Sequence, residues 1–382
     1  MIDIENMSVL IVDDLKSMRT LLKKTLRHLD LGKEIYVAEN GRDGLRVLEH
    51  THIDLVIVDW KMPVMNGMQM LDAMRAEPLL RDMPVLMVTA EREKDVVYEV
   101  AEVEVDGFLL KPLTPTMLEE KIRQAVEKAN DPDEATLLVR KARSLDEAEK
   151  LDMAIICQER AVALRPHASR LKRNLGILYG KAGKIEEMER CYLEAAADNL
   201  QDAVTRHMLS RFYWQKKQWS KAVKYSCEVL TLTNRFNDYA LKAGQALLKM
   251  KQNELATTLF TKLVNKLDKH LDLKGKILDL CAENGEKIYA RELLTQLLKD
   301  FPGNQGLQFK AGQIYEALGD SDKALEYLLE ANKNGIEPIK TKLSIAQIYM
   351  AKEKILQADE FLAEVLRLDP ENKEALELRR SM

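Results

Sequence analysis

From Ala135 to Asn372 the chain repeats itself every 34 residues, seven times without a gap. A sequence with that period builds one short unit again and again and buries each unit against the next. In the frame that begins at Ala135, position 20 reads Ala154, Met188, Ala222, Ala256, Ala290, Ala324 and Ala358. Position 8 reads Ala142, Gly176, Ser210, Gly244, Leu278, Gly312 and Ala346. Small residues at two fixed points of a helical pattern let the paired helices of a unit approach closely, whereas chance helical sequence would scatter them. Position 11 carries Leu145, Tyr179, Tyr213, Leu247, Cys281, Tyr315 and Tyr349, all able to fill the wedge between two helices, and Pro166, Pro302 and Pro370 fall at position 32. The expectation is fourteen stacked helices over 135–372, with 373–382 as a polar capping helix.

The first 130 residues differ in kind and in charge. They carry 17 basic and 24 acidic side chains, net −7, against 41 and 38, net +3, in the rest of the chain. Neither part is basic enough for binding driven by release of counterions from a phosphate backbone, so no nucleic-acid partner is expected. The start MIDIENMSVL has no basic segment leading a long apolar run, and later apolar runs are only a few residues long, so no membrane association is expected either. Cys157, Cys191, Cys227 and Cys281 stand far apart without metal-ligand spacing, which fits reduced thiols in a cytoplasmic protein. A polar break, Asn130-Asp131-Pro132-Asp133, separates the two parts. The division is thus 1–130, a linker at 131–134, the array at 135–372 and the cap at 373–382.

Residues 8–129 alternate short apolar runs with amphipathic stretches, the pattern of an α/β domain with a parallel sheet. Strands are expected at 8–12, 35–38, 54–58, 84–89 and 107–110, with helices at 16–29, 41–49, 67–76, 94–102 and 115–129. The runs LVIV and VLMV are continuous, as central strands covered on both faces require. In open α/β sheets the site lies beyond the carboxyl ends of the strands. Those ends carry Asp13-Asp14, Asp59, Thr89 and Lys111. Three carboxylates this close call for a cation, and all-oxygen ligation points to Mg²⁺ with several retained waters. Such a site suits phosphoryl transfer to a carboxylate, with Asp59 the central nucleophile and Lys111 a further positive charge. His50 and His52 read as surface residues.

Four separated motifs, VDD at 12–14, VDWKMPVMNG at 58–67, VTA at 88–90 and LKP at 110–112, resemble the signature of bacterial receiver domains, especially the chemotaxis type. The resemblance covers about residues 7–129 and implies a five-stranded, doubly wound, flavodoxin-like fold. It further implies that Asp59 is the phosphoacceptor and that Asp13, Asp14 and Asp59 hold Mg²⁺ with the backbone carbonyl of Lys61. Thr89 and Lys111 then contact the phosphoryl group, and Phe108 moves inward with Thr89 as a switch. Lys61 and Glu91 look like the positions that tune phosphoryl lifetime. The stretch Glu102-Val103-Glu104-Val105 departs from the small turn usual in receivers. The repeats, with ALRP at 163–166 and RLDP at 367–370, resemble the tetratricopeptide repeat, which implies a right-handed superhelix.

The whole reads as a two-component response regulator: a histidine kinase phosphorylates Asp59, and the repeats bind a protein or peptide as output. An enzymatic output would need Gly-rich phosphate loops or paired acid/base motifs after residue 130, and the sequence has none, so no enzyme activity beyond the receiver's own phosphorylation is expected. An alternative within the same class is a chemotaxis or motility scaffold, or a modulator of a sensor kinase, in which the receiver gates the repeats. Positions 2, 5, 9 and 12 of each first helix share one face. In the first three repeats they include Arg143, Arg170, Arg173, His207, Arg211 and Trp214, a basic groove suited to an acidic protein segment; further on they include Asp238, Asp272, Asp279 and Glu316.

Overall fold

A computed structural model of the protein describes residues 1–90, 105–267 and 270–382. It divides into two compact units, Met1–Thr233 and Asn234–Met382. The first opens with five strands, β1 (Ser8–Val12), β2 (Glu34–Ala38), β3 (Leu55–Asp59), β4 (Val85–Thr89) and β5 (Gly107–Leu110). All pairings are parallel, in the order β2-β1-β3-β4-β5. The order reverses between β1 and β3, the place where loops part and leave a crevice.

The continuous apolar strands are explained by what covers them. Val9, Ile11, Leu55, Ile57, Leu86 and Val88 point into a core shared with helices Lys16–His28 and Pro115–Asn130. Their neighbours Leu10, Val12, Val56, Val58, Val85 and Met87 point into a second core on the opposite face, with Met70, Leu71 and Met74 of helix Gly67–Ala76. Strands and helices fall where the sequence places them to within a residue at each end. The helix expected at 94–102, Glu91 and the 102–104 part of the atypical turn lie outside the described residues.

Helix Pro115–Asn130 ends in a short break, and Asp133 caps the next helix, Glu134–Glu147, by accepting from the Thr136 amide. The helix therefore starts one residue before the expected repeat frame, because an aspartate cap satisfies an amide that would otherwise be orphaned. In the first unit follow Leu151–Leu164, Ser169–Lys181, Ile185–Asp198, Ala203–Gln215 and Trp219–Leu232. In the second unit the helices are Asn237–Lys249, Asn253–Lys266, Leu271–Glu283, Lys287–Asp300, Gln305–Ala317, Ser321–Lys333, Pro338–Ala351, Ile355–Leu368 and a final Lys373–Arg380.

Why position 8 is small is visible in each unit. A Cβ on Gly176 would stand 2.5 Å from the Tyr192 ring, on Gly244 2.3 Å from the Phe260 ring, and on Gly312 2.4 Å from Leu328. Position 24 of the same repeat supplies the large partner. In the third repeat two small polar residues meet instead, Ser210 and Ser226, hydroxyl to hydroxyl at 2.7 Å. Positions 11 and 23 stack as Tyr213 on Tyr225 and Tyr315 on Tyr327, both at 5.6 Å. The turn inside every helix pair passes through left-handed backbone at one residue: Glu149, Gly183, Lys217, Lys251, Gly285, Gly319 and Glu353. These positions are spaced by 34 residues throughout.

Candidate functional site

β1 and β3 end side by side, Val12 opposite Val58, and deliver Asp13 and Asp59 to one edge. Asp59 is itself the last residue of β3, paired with Val88 of β4, so Thr89 follows immediately on the neighbouring strand. β5 runs into Lys111, whose ammonium donates to Asp59 Oδ1 at 2.6 Å and to Asp13 Oδ2 at 2.9 Å. The second oxygen of each acid is held by backbone. Asp59 Oδ2 accepts from the Lys61 amide at 3.0 Å and Asp13 Oδ1 from the Leu15 amide at 2.9 Å. Asp13, Asp59 and Thr89 are buried, whereas Asp14 and Lys61 are exposed.

Burial raises the Asp59 carboxyl above its ordinary value; Lys111 opposes this, the Asp13 charge adds to it, and the Lys61 amide opposes it. For Lys111 burial acts to lower the value, but the bonds to Asp59 and Asp13 outweigh it and hold the ammonium charged. Among the described residues Asp13 and Asp59 thus share the Lys111 ammonium, and Asp14 adds a third acid at the rim.

Two residues that sequence reasoning passed over shape this edge. Arg19 is buried, donates to the carbonyls of Asp13 at 2.7 Å and Asp14 at 3.0 Å, and pairs with Glu39. It fixes the loop that carries both acids. Gly67 lies against Asp59 so closely that a Cβ there would stand 2.2 Å from the Asp59 carbonyl oxygen. Its helix is held by a reciprocal Asn66–Gln69 cap. Phe108 is half-buried and packs against the second core. A Lys61–Glu91 pair falls outside the described residues.

The expected groove residues separate. Arg211 is exposed, His207 and Trp214 are half-buried, and Trp214 meets Trp219 edge-on at 5.0 Å. Arg170 is half-buried as well. Arg173 is a correction: it is 7% exposed and donates to both oxygens of Asp202 at 2.9 Å. Asp202 also accepts from Ser169, Thr205 Oγ1 and the Thr205 amide. Arg173 therefore neutralises a buried capping aspartate. Arg143 turns toward Asp82 of the loop before β4, at 3.1 Å. Beside it Arg81 pairs with Glu147 through its two terminal guanidinium nitrogens, the Nη2 bond at 3.0 Å. Further along, Asp279 is neutralised by Lys310 at 2.6 Å, and burial raises the Glu316 carboxyl.

The profile of the response regulator receiver domain matches residues 9–123, and that of the tetratricopeptide repeat matches 306–333 and 339–372. A chemotaxis protein CheY of Pseudomonas aeruginosa is 42% identical over 125 residues, 32% of this chain and 99% of that protein. The chain belongs to the response regulators. A chemotaxis protein CheY-3 of Vibrio cholerae is 39% identical over 125 residues and is covered to 95% of its length. Among solved structures, the chemotaxis response regulator CheY4 of Vibrio cholerae is 32% identical, covering 31% of this chain and 98% of its own, with a TM-score of 0.30. This response regulator thus joins a CheY-like receiver to tetratricopeptide repeats, and no helix among the described residues is long and apolar enough to cross a membrane.

Proposed function

We propose that a histidine kinase phosphorylates this response regulator on Asp59, and that the phosphorylation state decides which protein the repeats hold. The observation that carries this reading is the single Lys111 ammonium bridging Asp13 and Asp59 at the strand ends. In the transfer, an Asp59 oxygen attacks phosphorus, the bond from phosphorus to the donor's imidazole nitrogen breaks, and that nitrogen leaves with its electron pair. Lys111 stays charged throughout and faces the developing oxyanions. Thr89, one residue past the strand partner of Asp59, supplies a hydroxyl to the bound phosphoryl, and Phe108 on the neighbouring strand follows its movement.

Receiver domains generally bind Mg²⁺ at this edge, and the residues fit it. Among the described residues no three acidic, His or Cys groups converge into a ready-made cage, but Mg²⁺ takes only one or two carboxylates and retains water. Asp13, Asp14, Asp59 and the Lys61 carbonyl would hold it, and all are hard oxygen donors. When bound, it neutralises charge on the carboxylates and the transferring group.

Domain organisation follows the same reading: a receiver over 1–130, a break at 131–133, seven repeats to Asn372 and a capping helix. A protein-binding output, without DNA binding or enzymatic chemistry, is supported by the net +3 of the array and by its repeat packing. The groove residues retained are Arg170, His207, Arg211 and Trp214. A second reading, a chemotaxis or motility component working in the cytoplasm, is supported by the names of the relatives. Partner capture from the native host on immobilised protein, with and without acetyl phosphate, tests the proposal. Partners that change with phosphorylation in the wild type but not in Asp59→Asn support it, and identical partners in all samples overturn it.

A further inference from the structure

The receiver and the first repeat belong to the same compact unit, yet they do not share a hydrophobic core. Among the described residues the receiver's apolar clusters include nothing beyond Val126, and those of the first repeat nothing before Leu138. Where the two meet there is a cavity of about 450 Å³, bordered by Asp82, Asp106, Ala129, Asp133, Arg140 and Leu171. Protein interiors are close-packed, so a joint that encloses such a space is not held by packing.

Charged pairs cross it instead. Arg81 and Asp82, adjacent in the loop before β4, meet helix Glu134–Glu147 with alternating sign. Arg81 pairs with Glu147, and Asp82 with Arg143 at 3.1 Å and Arg140 at 3.5 Å. The Asp82 and Glu147 side chains remain 43% and 49% exposed, and ion pairs so open to water are weak and screened by salt. Such a joint fixes a register but opens easily. Arg143 stands at position 9 of its repeat, on the face that lines the groove, so Asp82 occupies the place that a carboxylate of an acidic partner segment would take.

The same loop is tied to the phosphorylation edge. Arg75 of helix Gly67–Ala76 donates to the carbonyls of Leu80 at 3.4 Å and Met83 at 2.9 Å, and it pairs with Asp106 at 3.5 Å. Asp106 in turn accepts from the Val85 amide at 2.9 Å. The loop is thereby fixed to the starts of β4 and β5, whose far ends carry Thr89 and lead into Lys111. A pull on Thr89 toward a phosphoryl group draws β4 toward its carboxyl end and the loop away from the repeat.

We infer that the receiver is an intramolecular competitor for the array: the Arg81–Asp82 loop holds the first repeat, and phosphorylation releases it, freeing Arg140 and Arg143 for an acidic segment of a partner protein. This rests on the phosphorylation of Asp59 proposed above. By linkage, whatever opens the joint must also favour the phosphoryl group at Asp59.

The test uses full-length protein with Mg²⁺ and beryllofluoride, a phosphoryl mimic whose affinity is read from the fluorine resonances of the bound species. Glu147→Arg sets a like charge against Arg81, in a last helical turn where a basic residue is well tolerated. It is expected to bind the mimic about threefold tighter, Arg143→Gln about twofold tighter, and the exchange Arg81→Glu with Glu147→Arg to return to the wild-type affinity. Without acetyl phosphate, Glu147→Arg should also capture the partners that the wild type captures with it. Independently of the mimic, the amides of residues 80, 81 and 83, bonded within the loop, should exchange faster in Glu147→Arg and Arg143→Gln although both changes lie in the repeat. Equal or weaker affinity in the variants, or capture by Glu147→Arg of the unphosphorylated set alone, would overturn the release. Unchanged amide exchange in both variants would overturn the joint itself. A wild type that binds no beryllofluoride would overturn the Asp59 reading and the release with it, while the exchange result still decides the joint.

Discussion

Lys111→Met removes the ammonium that bridges two buried carboxylates while nearly preserving side-chain volume. Side-chain exposure is 2% for Asp13 and 8% for Asp59, so neither acid can turn to water for compensation. Breaking a buried ion pair by removing one partner costs about 3–5 kcal/mol. The alternative open to the variant is to protonate one acid. From the ordinary value of 3.8 to pH 7, at about 1.4 kcal/mol per pH unit, that costs about 4 kcal/mol. The two routes agree, so the loss at pH 7 without Mg²⁺ is about 3–4 kcal/mol, or roughly 10–15 °C in the receiver's unfolding midpoint. The sign with pH follows from proton counting. The variant's folded state keeps a proton that the unfolded chain has released, so its penalty shrinks by about 1.4 kcal/mol per unit on acidification and is gone near pH 4. Wild-type Asp59 is raised in the same direction, through burial foremost, so the wild type also loses some stability as pH rises from the ordinary carboxyl value through the raised one. Trp60, buried at the site, reports receiver unfolding by fluorescence once Trp214 and Trp219 are changed to Phe. A loss below about 1 kcal/mol at pH 7, or one that does not change with pH, would refute the shared-cation reasoning.

Gly67→Ala drives a methyl into the Asp59 carbonyl, and a slower acetyl-phosphate labelling rate together with a loss of about 1–3 kcal/mol is expected in denaturation monitored at Trp60. Gly244→Ala and Gly285→Ala separate packing from backbone strain in the second unit. The first meets the Phe260 ring and should cost about 1–3 kcal/mol, while the second meets nothing within 4 Å but sits at φ +87° and should cost about 1–2 kcal/mol, both read from urea midpoints. Arg211→Glu combined with Trp214→Ala should abolish partner capture while helical content and Asp59 labelling persist; full retention of every partner would remove the proximal groove as the binding face. Thr89→Ala should label as wild type yet lose the phosphorylation-dependent change in partners.

Local patterns carried most of this architecture. The strands of the sheet were legible because both faces of β1, β3 and β4 are covered, which leaves continuous apolar runs. The strand-end residues followed from the sheet alone, since parallel strands place their carboxyl ends on one edge. What stayed hidden depends on partners distant in sequence. Position 5 of a repeat reads as groove-facing, but Arg173 is drawn inward by Asp202, 29 residues away, and no periodicity announces that pair. Arg143 reads as groove-facing too, until Asp82, 61 residues earlier, claims it. Arg19 is an ordinary basic residue in an amphipathic helix until the fold sets it under the Asp13 and Asp14 carbonyls. The left-handed turn at position 15 had a readable signal in Gly183, Gly285 and Gly319, but Glu149, Lys217, Lys251 and Glu353 take the same conformation and dilute it.

The most direct test of the account is the site of phosphorylation itself. Full-length protein with Mg²⁺ and acetyl phosphate should acquire one acid-stable, base-labile phosphoryl group, and borohydride reduction followed by peptide mass mapping should convert residue 59 alone to homoserine. Asp59→Asn should remain unlabelled under the same conditions. Labelling of that variant at the wild-type level, or reduction mapped to Asp13 or Asp14, would contradict the assignment of Asp59 as the nucleophile.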